Sequence, residues 1–280
     1  MIVSSLGHGY ISSFFLKEVA SNGVKCIGVT DNPKNKKNNT LENITIVSRA
    51  MTIDTINKTT HLVVTAPPKK NNCPILIKFG NEIRNSNIRS VVYISSTGVY
   101  GDHKGNWVDE KSTEKGNKNI VNKNRIKAEK SWSTFCKNNE IILNIVRLGG
   151  IYGPGRTNLD SKALTGVLIK ENHFFSRIHV LDISRLLVKI LFNSNSNNCW
   201  NLVDERPSTR KDFVLRIIEL KKVKKYSFKN YENLKNISKT KKRFWEANKK
   251  VSSKKVKDRF NYTFLYPSYL TGLKHIINSS

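Results

Sequence analysis

The sequence predicts an α/β fold, a parallel sheet wound on both faces by helices. Apolar runs of strand length alternate with segments of helical period, and a glycine-rich turn follows the first run. Ile2 to Gly7 (IVSSLG) is the first strand, after which Ile11, Phe15 and Val19 fall on one helical stripe. Val24 to Thr30 (VKCIGVT) is the second strand. His61 to Pro68 (HLVVTAPP) is an apolar run stopped by prolines, hence a strand that ends in a loop. A helix begins near Pro74, and Arg89 to Ser96 (RSVVYISS) is a buried strand leading into a glycine-containing loop. Val121, Arg125, Ala128, Trp132 and Phe135 keep helical spacing before the strand IILNIVRL. Crossovers in such sheets are right-handed, and ligands sit at the carboxyl ends of the strands.

At 280 residues the chain can form one large domain, or a large and a small one. The net charge of +28 suits a nucleic-acid binder, and the densest basic stretch, Lys221 to Phe244, interleaves Tyr226, Phe228, Tyr231 and Phe244 as single-strand binders do. The lysines nevertheless run the whole length, accompanied by many asparagines, so a solvated lysine-rich surface ranks ahead of nucleic acid. Cys26, Cys73, Cys136 and Cys199 lie far apart, with no CxxC pair and no histidine at ligand spacing; they read as reduced, mostly buried thiols, with no metal site. No apolar run reaches the roughly 18 residues of a membrane span. Nor does the N-terminus read as a secretion signal, so a cytoplasmic location and no membrane partner are expected.

The first strand runs directly into Gly7-His8-Gly9-Tyr10-Ile11-Ser12, a GxGxxS variant of the dinucleotide fingerprint. Gly7 permits the tight turn, and Gly9 clears the backbone where a pyrophosphate must approach the N–H groups opening the helix. Ser12 replaces the third glycine with little added bulk. Asp31 ends the second strand about 20 residues on, where a carboxylate can accept hydrogen bonds from adenosine ribose hydroxyls. It is also a good turn residue within Thr30-Asp31-Asn32-Pro33, and both roles are compatible. Together these features specify a Rossmann-type, doubly wound sheet. The cofactor-binding set is Gly7, Gly9, Tyr10, Ile11, Asp31, Asn32, Thr65, Ala66, Pro67 and Ser95. An acid at position 31 favours NAD, while Lys34, Lys36 and Lys37 keep NADP open.

Four further segments carry a resemblance. Tyr93-Ile-Ser-Ser-Thr-Gly-Val-Tyr-Gly101, Arg147-Leu-Gly-Gly-Ile-Tyr-Gly-Pro-Gly155, Arg177-Ile-His-Val-Leu-Asp182 and Trp200-Asn-Leu-Val-Asp204 resemble, in order, motifs of the extended short-chain dehydrogenase/reductases, the NAD-dependent epimerase/dehydratase family. With Gly101 to Glu110 and the late VSSKKVK and YPSYLTGL segments, the likeness covers nearly the whole chain and points to the atypical, YeeZ-like subgroup. It implies a Rossmann domain over residues 1–154, with 177–204 returning to it. A small substrate region would span 155–176 and 205–280. By position Ser96 matches the family's active-site Ser/Thr, whose role is to hydrogen-bond a substrate oxygen. The family's Tyr-x-x-x-Lys pair is absent: counting back from Ala128-Glu129 places Val121 and Arg125 there. Valine has no proton to give, and Arg125 can bind ribose or phosphate oxygens without replacing a phenol.

The catalytic candidates are therefore Ser96, Tyr100 and Arg125. Substrate candidates are Asp102, His103, Trp107, Arg156, Arg177 and His179; the arginines suit diphosphate oxygens and His179 suits proton transfer near neutral pH. The leading expectation is an NAD(P)-binding oxidoreductase or epimerase-like enzyme acting on a small molecule, by family analogy a nucleotide-sugar, and able to dimerise. The rival is a non-catalytic NAD(P)-binding regulatory or scaffold protein, which loss of the Tyr/Lys pair favours. Nucleic-acid binding is the remote third reading.

Overall fold

The computed structural model describes the chain except for residues 34–41, 70–71, 157–163, 235–237, 239–241, 243 and 279–280. In chain order, the first half contains β1 (Ile2–Leu6), α1 (Tyr10–Ala20), β2 (Lys25–Thr30), β3 (Ile44–Ser48), α2 (Thr52–Lys58), β4 (His61–Val64), α3 (Pro74–Arg84) and β5 (Ser90–Ser96). Then follow β6 (Trp107–Val108), α4 (Ile120–Asn138), β7 (Ile142–Leu148), β8 (Gly150–Tyr152), β9 (Val167–Ile169), β10 (Phe174–Phe175) and β11 (Arg177–His179). The last part holds α5 (Val180–Asn193), β12 (Asn198–Leu202), β13 (Ser208–Thr209), α6 (Arg210–Leu220), β14 (Phe228–Asn230) and β15 (Lys250–Val251). Two more helices, Lys254–Phe260 and Tyr269–Asn278, follow β15.

The chain divides into two compact units. Unit 1 comprises Met1–Ser96, Ile120–Arg147 and Ile183–Trp200, and unit 2 comprises Thr97–Asn119, Leu148–Asp182 and Asn201–Ser280. Segment 97–119 thus groups with the C-terminal part, whereas the sequence reading placed it with the first domain.

Unit 1 is built on a seven-stranded sheet of order β12-β7-β5-β4-β1-β2-β3. Pairing is parallel from β3 through β2, β1 and β4 to β5. This doubly wound order reverses direction between β1 and β4, the place where such sheets bind ligands. The expected strands and helices are all present. Among the elements of the first half, β3 and α2 went unread: ITIVS is only half-buried, and TIDTINK is too polar to show a core stripe. Within the core, Trp132 of α4 meets Tyr93 of β5 with ring centroids 6.1 Å apart, above Leu62, Val64 and Phe79. Asn144 interrupts the apolar run of β7 because its Oδ1 accepts from Trp200 Nε1 at 2.8 Å and Ser194 Oγ at 2.9 Å.

A buried ion pair locks α4 to this sheet. Arg147 of β7 donates to Glu129 of α4 (Nη2 to Oε2, 2.6 Å), and Ser95 of β5 donates its hydroxyl to the same carboxylate. Both charged side chains are about 95% buried, so each relies on the other for compensation.

In unit 2, Tyr152, Leu164, Val167, Ile169, Val214, Ile217 and the helix Tyr269–Asn278 share an apolar core. Short strand pairs frame it, among them β8 with β11 and β6 with β15. A capping box starts α6: Thr209 accepts from the Asp212 amide, and Asp212 accepts from the Thr209 amide. Asp182 ties down the C-terminal segment by accepting from Tyr262 Oη (2.8 Å) and from the amides of Leu265 and Tyr266. No helix among the described residues is long and apolar enough to cross a membrane.

Removing one partner of the Glu129–Arg147 pair should be costly. Glu129→Ala is expected to destabilise unit 1 by about 3–5 kcal/mol, read as a drop in urea midpoint at unchanged slope. A loss below about 1 kcal/mol would show that the buried pair does not hold α4.

Candidate functional site

The turn after β1 is shaped by backbone contacts at the strand-order reversal. Gly7 has φ +100°, and a Cβ there would lie 2.9 Å from both Ala66 N and Thr65 Oγ1, so no other residue fits. Thr65 donates its amide to Leu6 O (3.1 Å) and its hydroxyl to Gly7 O, which clamps the loop after β4 onto the turn. On the other side, the amides of Gly7 and His8 both reach Val29 O of β2. At Gly9 an added Cβ would find only Gly7 O, at 3.7 Å, so space lies open before the first amides of α1. That helix has no side-chain cap and no acid in its first turn, which leaves its N–H groups for an anion. Tyr10 and Ile11, both half-buried, occupy that first turn.

Position 12 departs from glycine with a compensation the sequence alone did not disclose. Ser12 is fully buried and its Oγ meets Nδ1 of buried His8 at 2.9 Å. The imidazole turns inward and fills the space over Gly28, where a Cβ would come within 2.7 Å of Nδ1. Position 8 thus points away from the open side of the turn.

Asp31 and Asn32, just past β2, are exposed. Asp31 pairs with Arg49 at 3.2 Å, a residue directly after β3 that the sequence reading passed over along with that strand. Both side chains are more than half exposed, so the contact is readily exchanged for a ligand. Lys34, Lys36 and Lys37 lie outside the described residues. Ala66 is half-buried and Pro67 exposed at the rim of the loop after β4. These residues could hold a dinucleotide: the glycines and helix amides its diphosphate, Asp31 a ribose.

The catalytic candidates divide. Ser96 ends β5, half-buried, whereas the hydroxyl of neighbouring Ser95 is turned into the Glu129 network. On α4, Val121 is exposed and Arg125 half-buried. Burial lowers the Arg125 pKa, opposed by nearby Tyr93 and Glu129; among the described residues no hydrogen bond or ion pair engages its guanidinium. Tyr100 is buried in unit 2, where its hydroxyl donates to Asn201 Oδ1 at 2.7 Å, so that phenol already has a structural partner.

The substrate candidates all fall in unit 2, with varied surroundings. Asp102 accepts from the amides of Lys104 and Asn248; burial works to raise its pKa, but these bonds bring it below the usual range. His103 Nε2 donates to the carbonyls of Tyr100 and Thr113. Trp107 and Arg156 are exposed. Arg177 donates to Ser208 Oγ at 2.6 Å and to two carbonyls, stacks over Phe213 at 4.3 Å, and has its pKa lowered by burial to about 10. His179 is fully buried among Tyr152, Tyr266 and His275, and burial pushes its pKa down to about 4. The R-x-H-V-x-D segment therefore packs this unit, from Arg177 through Asp182.

Residues 6–198 match a family model described as the NAD dependent epimerase/dehydratase family. A functionally unknown conserved protein from Silicibacter pomeroyi DSS superposes with TM-score 0.91 at 28% identity, covering 100% of this chain and 99% of its own. A dTDP-glucose 4,6-dehydratase from Bacillus anthracis in complex with NAD superposes at TM-score 0.78 and 16% identity, over 99% and 95% of the two chains. A UDP-N-acetylglucosamine 4-epimerase from Bacillus cereus gives TM-score 0.75 at 12% identity, over 99% and 98%. The last two establish the fold alone. No curated protein matches the sequence.

The buried titratable groups of unit 2 set a pH optimum for its stability. His173 and His179 are held near 4 by burial, below the ordinary 6.5, so between those values the unfolded chain binds two protons that the folded unit refuses. Asp204 is raised by burial from 3.8 to about 8, so the folded unit holds one proton that the unfolded chain releases. Below 6.5 the two histidines outweigh Asp204, and stability falls with acid; above 6.5 Asp204 lowers stability as the pH rises, until near 8 Lys249, which burial holds at about 8 against an ordinary 10.5, begins to oppose it. Thermal unfolding should show its highest midpoint near pH 6.5, with the alkaline decline absent in Asp204→Asn; a midpoint still rising to pH 8 would contradict this assignment.

Proposed function

Since the chain belongs to the NAD dependent epimerase/dehydratase family, we propose that it is an NAD-using, epimerase-like oxidoreductase acting on a small molecule of the nucleotide-sugar class. The observation that carries this reading is the open, uncapped turn at Gly7 and Gly9 on the strand-order reversal. Unit 1 takes the dinucleotide and unit 2 the substrate. The solved dehydratase with NAD and the sugar-nucleotide epimerase, similar across nearly their whole chains, support the substrate class by analogy.

NAD bound there supplies a hydride acceptor at its nicotinamide. The amides opening α1 bind the diphosphate, and Asp31 grips the adenosine ribose once its contact with Arg49 opens. Arg125, half-buried and without an ion pair, holds the other ribose in place of the family lysine. Ser96 orients a substrate oxygen. Proton transfer is the weakened step, because Val121 sits where a phenol belongs and Tyr100 is engaged with Asn201. That replacement favours a second reading, an NAD-binding protein without turnover whose occupancy regulates a partner.

Two measurements test these readings. Calorimetric titration should show NAD binding tighter than NADP, because Asp31 repels a 2′-phosphate; no affinity for either dinucleotide would overturn the assignment. Restoring the family pair with Val121→Tyr and Arg125→Lys should raise single-turnover reduction of NAD with sugar-nucleotide substrates by about 100-fold or more. Unchanged rates with intact NAD binding would favour the regulatory reading.

A further inference from the structure

Unit 2 contains a cavity of about 330 Å³, open to solvent and within the size range of small-molecule sites. Trp107 forms one wall with its ring more than half exposed, and Ser252 and Ser253 line another part. Three carboxyl groups border it, Asp204, Glu205 and Asp258, against two ammonium groups, Lys254 and Lys257. The lysines are committed: Lys254 pairs with Asp258 at 2.8 Å, and Lys257 with Glu205. Asp204 is left over. It is 1% exposed, and among the described residues its Oδ1 accepts only the Arg206 amide and its Oδ2 has no hydrogen-bond partner.

A buried carboxyl oxygen without a partner costs free energy that a suitable guest would recover. With Asp204 protonated the lining is balanced, two carboxylates against two paired lysines; a guest carrying one positive charge takes the place of that proton and leaves lining and guest together neutral. The exposed indole face offers such a guest a cation–π contact. An anion would find both lysines already paired and no free cation in the lining.

We propose that this cavity binds an ammonium-bearing small molecule, with Asp204 as its counter-ion and Trp107 as its aromatic wall. The site lies wholly within unit 2 and stands apart from the dinucleotide reading, so it can be tested without nucleotide. Other groups bearing on Asp204 are Arg177, which stabilises its charge, and Asp182 and Glu205, which oppose it; Tyr152 also feels its charge. Without a guest, burial keeps its pKa near 8, so a cation must displace a proton at lower pH.

Choline is a suitable probe because its charge does not change with pH, and 3,3-dimethylbutan-1-ol is its neutral isostere. Calorimetry on the full chain should give choline at least tenfold tighter binding than the alcohol. Its affinity should climb by up to about tenfold per pH unit from 6 to 8 and then level off, with proton release at the lower pH. Asp204→Asn should abolish both the preference and the pH dependence. Trp107→Leu, which keeps an apolar side chain at an exposed position of β6, should weaken choline by about two- to thirtyfold. Equal binding of the alcohol, no binding of choline, preferential binding of inorganic phosphate, or choline affinity unmoved by both variants would overturn the proposal.

Discussion

Between the carboxyl ends of β1 and β4 two stretches of backbone lie closer than any side chain allows. Gly7 faces Thr65 and Ala66 at that spacing, and the rest of unit 1 follows from it. The sheet order reverses there, α1 starts immediately after the turn, and the strands on either side are parallel. Hydrogen bonds from Thr65 and to Val29 hold the turn from both neighbours. The geometry is consequently set by the scaffold and does not wait for a ligand to form it.

Much of this was legible from residue order. Strands such as HLVV and SVVYISS are continuous apolar runs because both faces of a parallel sheet are buried, and helices such as α4 show a stripe because one face is not. The strand β3 escaped because an edge strand need not be apolar on both faces, and with it went Arg49, the partner of Asp31. Spacing located the glycines but could not reveal where position 8 points. Motif likeness offered Ser95 for the cofactor and Arg177 and His179 for the substrate; in the structure they engage a buried carboxylate, a serine-and-carbonyl cage and an aromatic cluster. Asp204 closed one of the motif segments, but its burial by distant segments is invisible to local sequence.

The proposed reading combines a cofactor turn with a weakened proton-transfer apparatus. Such a combination is physically consistent, because dinucleotide binding depends on backbone and a few glycines, whereas proton transfer depends on one phenol and its neighbour. The two functions can therefore be lost independently. The high positive charge is similarly separable from the fold: it acts on solubility and association, not on which strands pair.

The His8 side chain lying over Gly28 makes these two positions historically interdependent. An alanine at 28 becomes tolerable only after residue 8 has shrunk and the Ile46 methyl, 2.8 Å from such a Cβ, has given way, and once a methyl group occupies that space an imidazole cannot return. Homologues should then fall into two groups, histidine with glycine or a small residue with a larger one, and recombining halves between the groups would join incompatible partners on adjoining strands.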